Sequence, residues 1–214
     1  SFKALAHVRY LCTQAYDEKV KIGHAGTLDP LATGVLLLCT GRATKRIEEL
    51  QTHTKEYIAT LQLGATTASY DCEHEVNAEY PTNHINRELI SCVLKSYVGD
   101  IQQVPPTYSA CKVNGERSYA LRRNGEKVAL KPKNIHIEEI EILSFNQSTM
   151  QLGIRVVCGK GTYIRALARD IGKSLNSGAY LTSLRRTRVG SVSVADCIQY
   201  DNFQEWLDQQ QLEK

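Results

Sequence analysis

The sequence predicts a fold of mixed α/β class, and two observations carry that reading. Apolar residues recur at helical spacing over 2–12, 86–98 and 164–175. Alternating or continuous apolar runs, the marks of strands, occupy 35–39, 55–64, 135–143, 150–158 and 180–190. No internal repeat, low-complexity tract or linker interrupts the series.

Taken in order, Ser1 is placed to cap a helix carrying Phe2, Leu5, Val8 and Leu11 or Cys12 on one face and ending near Tyr16. Residues 24–34 read as a glycine-bounded loop feeding a short buried strand over 35–39, closed by Thr40-Gly41. A short helix over 44–50 exposes Lys45 and Arg46. The strand over 55–64 puts Tyr57, Ala59, Leu61 and Leu63 on one face. Residues 64–71 read as a polar loop. In the helix over 86–98, Leu89, Ile90, Val93, Leu94, Tyr97 and Val98 supply the stripe and Gly99 the stop. Pro105-Pro106 breaks structure, and 108–113 form a strand entering a tight turn at Asn114-Gly115. A short helix at 118–123 follows. The strand over 135–143 carries a shift in alternation that suggests a bulge, and 150–158 alternates cleanly. The last elements are the helix over 164–175, a strand over 180–190 ending in Arg185, Arg186 and Arg188, and a helix over 201–212.

Composition narrows the classes of function. No apolar run reaches membrane-spanning length, and no signal peptide is visible. The seven cysteines are scattered, with no Cys-x-x-Cys pair, so neither a zinc site nor a disulfide framework is indicated. A reduced, cytoplasmic compartment is expected. A formal net charge of +3 does not by itself mark a nucleic-acid binder. Local clustering does more. Between Lys112 and Lys133 stand Lys112, Arg117, Arg122, Arg123, Lys127, Lys131 and Lys133, against Glu116 and Glu126. Tyr108 and Tyr119 add stacking capacity. This stretch fits either an RNA-facing insertion or a solvated basic face.

Asp29 is the candidate for chemistry. It is the only acid between Lys19 and Ile47, among Lys19, Lys21, His24, Arg42, Lys45 and Arg46. Pro30 pushes it out of helical geometry, and Leu28 and Leu31 flank it. A carboxylate in that setting fits a catalytic acid, base or nucleophile. From spacing alone the commoner reading is an Asp-Pro turn bonded to its own backbone. The turn Gly159-Lys160-Gly161-Thr162 is not a phosphate loop, because Gly161 stands between the lysine and the threonine.

Four ordered motifs decide between such readings. The run Gly23-His24-Ala25-Gly26-Thr27-Leu28-Asp29-Pro30-Leu31-Ala32-Thr33-Gly34-Val35-Leu36, with Gly41-Arg42-Ala43-Thr44-Lys45, resembles the signature of the TruB family of pseudouridine synthases. Lys55-Glu56-Tyr57, Lys160-Gly161-Thr162-Tyr163-Ile164-Arg165 and Leu184-Arg185-Arg186, continuing to Val189-Gly190, match its later motifs. One position departs. Where the family carries Gly-x-x-Thr-Asp-Thr-x-Asp, Ala68 replaces the first Asp, while Thr67 and Asp71 are retained.

The resemblance implies a pseudouridine synthase fold, α/β of the α+β type, with a central mixed, largely antiparallel sheet flanked by helices. It implies one catalytic domain, 1–214, with a substrate-clamping insertion at about 105–133. The family's opening strand and Lys-Pro-x-Gly loop would precede Ser1, and no PUA domain is expected within the chain. The implied reaction converts the T-loop uridine of tRNA (position 55) to pseudouridine on a flipped-out base, without cofactor or metal.

By the same resemblance Asp29 is the nucleophile, or takes the ribose proton. Tyr57 stacks on the uracil, Arg165 orients Asp29, Leu184 walls the pocket and His24 helps hold the flipped nucleotide. Tyr163, Asp71, Lys112, Arg122 and Arg123 join the substrate-binding set. The expected partner is the tRNA T-arm, met by a monomer with no membrane association. A guide-RNA-directed enzyme of the dyskerin/Cbf5 type is the alternative within the class. A tRNA-binding module without chemistry has no need of Asp29, Tyr57 and Arg165 together. A glycoside hydrolase calls for a second placed carboxylate that no motif supplies.

Overall fold

The computed structural model describes residues 1–109, 111–113, 116–118 and 129–210. It divides into two compact units. The first comprises Ser1–Lys55 and Arg186–Lys214, and the second Glu56–Arg185.

In the first unit, helix α1 (Phe2–Tyr16) buries Leu5, Val8 and Cys12, at the predicted spacing. They form one cluster with Ile22 and Leu207, the latter from α5 (Phe203–Asp208). Burial of this face stabilises α1 more than its termini do. Ser1 stands at the N-cap, but its side chain does not cap the helix. Its Oγ instead accepts from Leu28 N at 2.7 Å and donates to Leu28 O at 3.4 Å.

Strands β1 (Ile22–His24) and β3 (Leu38–Thr40) pair antiparallel, with Ile22 opposite Thr40 and His24 opposite Leu38. The strand expected over 35–39 is therefore shorter and displaced. Val35 to Leu37 stay outside it because their main-chain groups turn elsewhere: Val35 N donates to Arg186 O and Leu37 O accepts from Ala25 N, both at 2.9 Å. Part of the expected loop is itself a strand, β2 (Ala32–Gly34), which pairs with β12 (Ala179–Val189). The short helix expected at 44–50 divides into a 3-10 turn, Gly41–Arg46, and α2 (Ile47–Thr52). The buried Lys55 ammonium donates to Gln51 O and His53 O at the C-terminal end of α2, where carbonyls are left over and positive charge is favoured.

The second unit is a sheet in the order β12–β4–β11–β10–β7, formed by the Ala179–Arg185 part of β12, β4 (Lys55–Leu63), β11 (Gln151–Cys158), β10 (Lys133–Asn146) and β7 (Gly99–Gln103). β10 runs antiparallel to both β11 and β7. The suspected bulge is there: the β10–β11 register shifts between Ile137 and Glu139, and again between Ile142 and Ser144. Ala59, Leu61 and Leu63 are buried along β4, and Tyr57 is half-buried. Helix α3 (Arg87–Lys95) starts where Asn86 Oδ1 accepts from Leu89 N at 2.8 Å, an ordinary side-chain cap. Helix α4 (Ile164–Ser174) buries Leu167, Ala168 and Ile171, with Leu175 just beyond it.

Two further expectations change. The polar loop over 64–71 contains β5 (Ala65–Thr67), paired with β6 (Val76–Glu79). The closing helix over 201–212, in the first unit, is a 3-10 turn, Tyr200–Asn202, followed by the shorter α5. In the insertion, β8 (Lys112–Val113) pairs with β9 (Glu116–Arg117). The Asn114-Gly115 turn, Tyr119, Arg122, Arg123 and Lys127 lie outside the described residues.

Candidate active site

The sequence brings Asp29 to the tip of a tied excursion. The β1–β3 ladder forms its stem, and the Ala25–Leu37 rung closes it. Beyond the rung, Ala32 N donates to Asp29 O at 2.9 Å, so the Asp-Pro stretch does make a turn. That turn and a catalytic carboxylate are compatible, since the turn uses the main-chain oxygen of Asp29. Gly34 is needed there for a steric reason. Its φ is +98°, and a Cβ would lie 2.1 Å from Arg186 O.

Arg186 runs beneath the same loop. It is 1% exposed. Its Nε donates to Val35 O at 2.8 Å, Nη2 to Gly26 O at 3.2 Å and Nη1 to Thr27 O at 3.4 Å. Arg186, one of the three arginines that end strand β12, thus makes carbonyl contacts. Arg185 is exposed, while Arg188 Nη1 donates to Gly190 O at 3.1 Å.

His24 ends β1. Its Nδ1 is buried and has no hydrogen-bond partner among the described residues. Burial pushes the imidazole down from its ordinary value, helped by the positive charge of Arg186. The neutral ring thus carries an unused polar atom.

In the second unit, Arg165 lies in the first turn of α4, and Asp71 follows β5. Both are buried, at 3% and 1% exposure. Arg165 Nε lies 3.5 Å from Asp71 Oδ2, Nη1 donates to Ser69 O at 3.2 Å, and Nη2 donates to Tyr108 O at 3.0 Å. Asp71 Oδ1 accepts from Ser69 Oγ at 2.5 Å and from Glu73 N at 2.9 Å. Thr67 Oγ1 donates to Asp71 O at 2.7 Å. A buried ion pair survives when its remaining lone pairs are satisfied, and here backbone and hydroxyl groups do that. The retained Thr67 and Asp71 of the departing motif are therefore both engaged. Asp29 belongs to the other unit.

Tyr163 is held at the N-terminus of α4 by Gln103, which is 2% exposed. Gln103 Oε1 accepts from Tyr163 N at 2.9 Å, and its Nε2 donates to Tyr163 O at 3.2 Å. The Tyr163 hydroxyl lies 3.1 Å from Cys111 Sγ. Leu184 is buried on β12, and Tyr57 is half-buried on β4. Lys112 lies in β8, and Arg122 and Arg123 fall outside the described residues. Sequence reading missed Gln103, Ser69 and the carbonyl role of Arg186. For Arg186 a signal existed: the alternation of β12 puts Leu184 and Arg186 on one face, so an arginine there must be buried. For Gln103 and Ser69 no signal stands out.

The N-terminal domain of the TruB family pseudouridylate synthases matches residues 13–164, and the tRNA pseudouridylate synthase B C-terminal domain matches residues 165–214. The chain belongs to the TruB family. A family protein of Bacteroides fragilis, named tRNA pseudouridine synthase B, is 61% identical over all of this chain and 91% of its own length. One of the same name from Flavobacterium johnsoniae is 48% identical over 97% of this chain and 90% of its own.

Among solved structures, a Cbf5–Nop10–Gar1 complex has a chain similar to this TruB member at TM-score 0.65 and 26% identity, over 97% of this chain and 53% of the other. The archaeal box H/ACA sRNP Nop10–Cbf5 complex has one at TM-score 0.64 and 24% identity, over 94% and 49%, which speaks to the fold alone. The present chain thus spans about half the length of those structural neighbours.

Proposed function

We propose that this pseudouridine synthase isomerises the T-loop uridine of tRNA, acting through Asp29 on a base turned out of its stack. The observation that carries the proposal is the Asp29 excursion. A single carboxylate sits at its tip, with the path on both sides fixed by main-chain rungs and a buried guanidinium. Pre-set geometry of this kind lowers the cost of reaching an attack conformation. The names of the relatives at 61% and 48% identity support tRNA as the substrate.

The reaction needs one bond broken and one made. The ribose C1′–N1 bond opens, the uracil turns, and C5 joins C1′, with a proton passing from C5 to N1. Asp29 serves either by attack at the sugar or by taking the ribose proton. Tyr57 stacks on the uracil, Leu184 walls the pocket, and Arg165 fixes the aim of the catalytic carboxylate. Asp71, Ser69 and Tyr108 O hold Arg165 in turn. His24 offers its unused Nδ1 to the flipped nucleotide. Exclusion of water protects the detached base. Lys112, Arg122 and Arg123 grip the T-arm backbone, and Tyr163 lines the substrate side. We further propose that the protein works as a monomer in the cytoplasm.

The test is incubation with an unmodified tRNA transcript and no other RNA, followed by site mapping of pseudouridine. Pseudouridine at the T-loop position is expected. Its absence, with activity appearing only on addition of a guide RNA, would favour the guide-directed alternative.

A further inference from the structure

We infer that Arg186 is a positioning residue for Asp29, setting the path of the catalytic loop through its three carbonyl contacts. This rests on the reading of Asp29 as the reacting carboxylate.

Arg186 is among the largest fully buried side chains of the chain. A guanidinium taken out of water is costly unless its donors are met. Here Nε, Nη1 and Nη2 each meet a main-chain oxygen: Val35 O, Thr27 O and Gly26 O. Gly26 and Thr27 lie just before Asp29, and Val35 follows it by one turn and a short strand. One planar group therefore joins both arms of the excursion at a set spacing.

The main chain of Arg186 repeats the grip. Its carbonyl accepts from Val35 N at 2.9 Å, and it approaches Gly34 so closely that no side chain fits there. Gly26, at φ +108°, presents its carbonyl to Nη2, and a Cβ on it would lie 3.5 Å from Nη1. The loop is built to touch this one residue along both its arms. A lysine keeps the charge but has no planar fork, and its one nitrogen cannot span Val35 O, Gly26 O and Thr27 O together.

The experiment compares wild type, Arg186→Lys and Arg186→Ala on an unmodified T-arm transcript. It reads single-turnover rate, transcript affinity and melting temperature, with Asp29→Asn alongside. The expected result is a single-turnover rate down by about 100-fold in Arg186→Lys, the scale for a reacting group misplaced by about 1 Å. Transcript affinity should stay within about threefold. In Arg186→Ala, low-millimolar guanidinium should restore part of the missing rate, which general loosening of the fold would not give.

Arg186→Lys, with the charge and most of the stem kept, is the variant best placed to fold, and it carries the test if Arg186→Ala does not. A wild-type rate in Arg186→Lys overturns the inference. So does a fall in rate matched by an equal fall in affinity. If Asp29→Asn is inactive while Arg186→Lys is normal, the positioning role fails and the Asp29 reading stands. If Asp29→Asn turns over, both fall together.

Discussion

Arg165 and Arg186, buried in different units, hold their surroundings by different means. Arg165 grips a carboxylate, Asp71, and adds two carbonyls. Arg186 grips three carbonyls on both arms of a loop. The first arrangement depends on balancing a buried charge, so the loss of either partner leaves the other stranded. The second depends on shape, because its acceptors are neutral oxygens set at fixed positions on the loop. Burial of an arginine thus says little about its purpose until its acceptors are named.

The sharpest way to break this contrast is at the chemistry that both arginines are proposed to serve. Asp29→Asn should lose turnover by several orders of magnitude while tRNA binding stays within about tenfold, roughly 1.4 kcal/mol. Substantial pseudouridine formation by that variant would take Asp29 out of the mechanism. The next largest effect falls on stability. Arg165→Met leaves Asp71 charged, buried and unpaired, and should cost about 3–5 kcal/mol in denaturant unfolding. The double change Arg165→Met with Asp71→Asn should recover part of that loss. No recovery would mean that the pair is not what Arg165 stabilises.

Geometry can be tested by glycine. Gly34→Ala meets Arg186 O at 2.1 Å at a φ of +98°, whereas Gly41, at φ +50°, has nothing within 4 Å of its would-be Cβ. The first should unfold at markedly lower denaturant, and the second should lose only about 1–2 kcal/mol. Equal losses would count against a close approach at Gly34.

Weaker still is the effect expected of the insertion. Arg122→Ala with Arg123→Ala should weaken tRNA binding. It should also flatten the salt dependence of log K, by roughly 0.7 to 0.9 for each phosphate no longer neutralised. Identical slopes would leave a solvated basic face. The smallest effect concerns His24. Its folded imidazole resists protonation, so the unfolded chain binds the proton first as pH falls below the ordinary 6.5. Stability from this group is full above that value and is lost on acidification toward the depressed one. Melting of His24→Gln against wild type on the two sides of that window should show a shallower acid loss in the variant.

Much of the fold was legible because it rests on local periodicity. The α1 stripe, the β4 alternation and even the β10 bulge follow from spacing that the chain carries within a dozen residues. The misses share a cause. β2 exists only because β12, some 150 residues later, offers it a partner. β5 is polar and pairs with an equally polar β6, so no hydrophobic pattern marks either. Of the candidate site, Asp29 could be picked out by its isolation among cations, and Asp71 and Arg165 by motif. That Asp71 and Arg165 would meet was not readable, because the pair joins a loop to a helix start far apart in sequence.

The distance along the chain between Arg186 and the loop it ties has a consequence for biogenesis. Its carbonyl contacts span 151 residues to Val35 and 160 to Gly26. A growing polypeptide emerges at about 5–20 residues per second. The β1–β3 stem is complete within the first 40 residues, so it is available early. The guanidinium that fixes the tip arrives only when most of the chain has been made. Nascent and truncated products that stop short of Arg186 therefore carry the Asp29 carboxylate on a stem without its clamp. The tie between the two arms of the loop is thus among the last contacts of this unit that synthesis makes available.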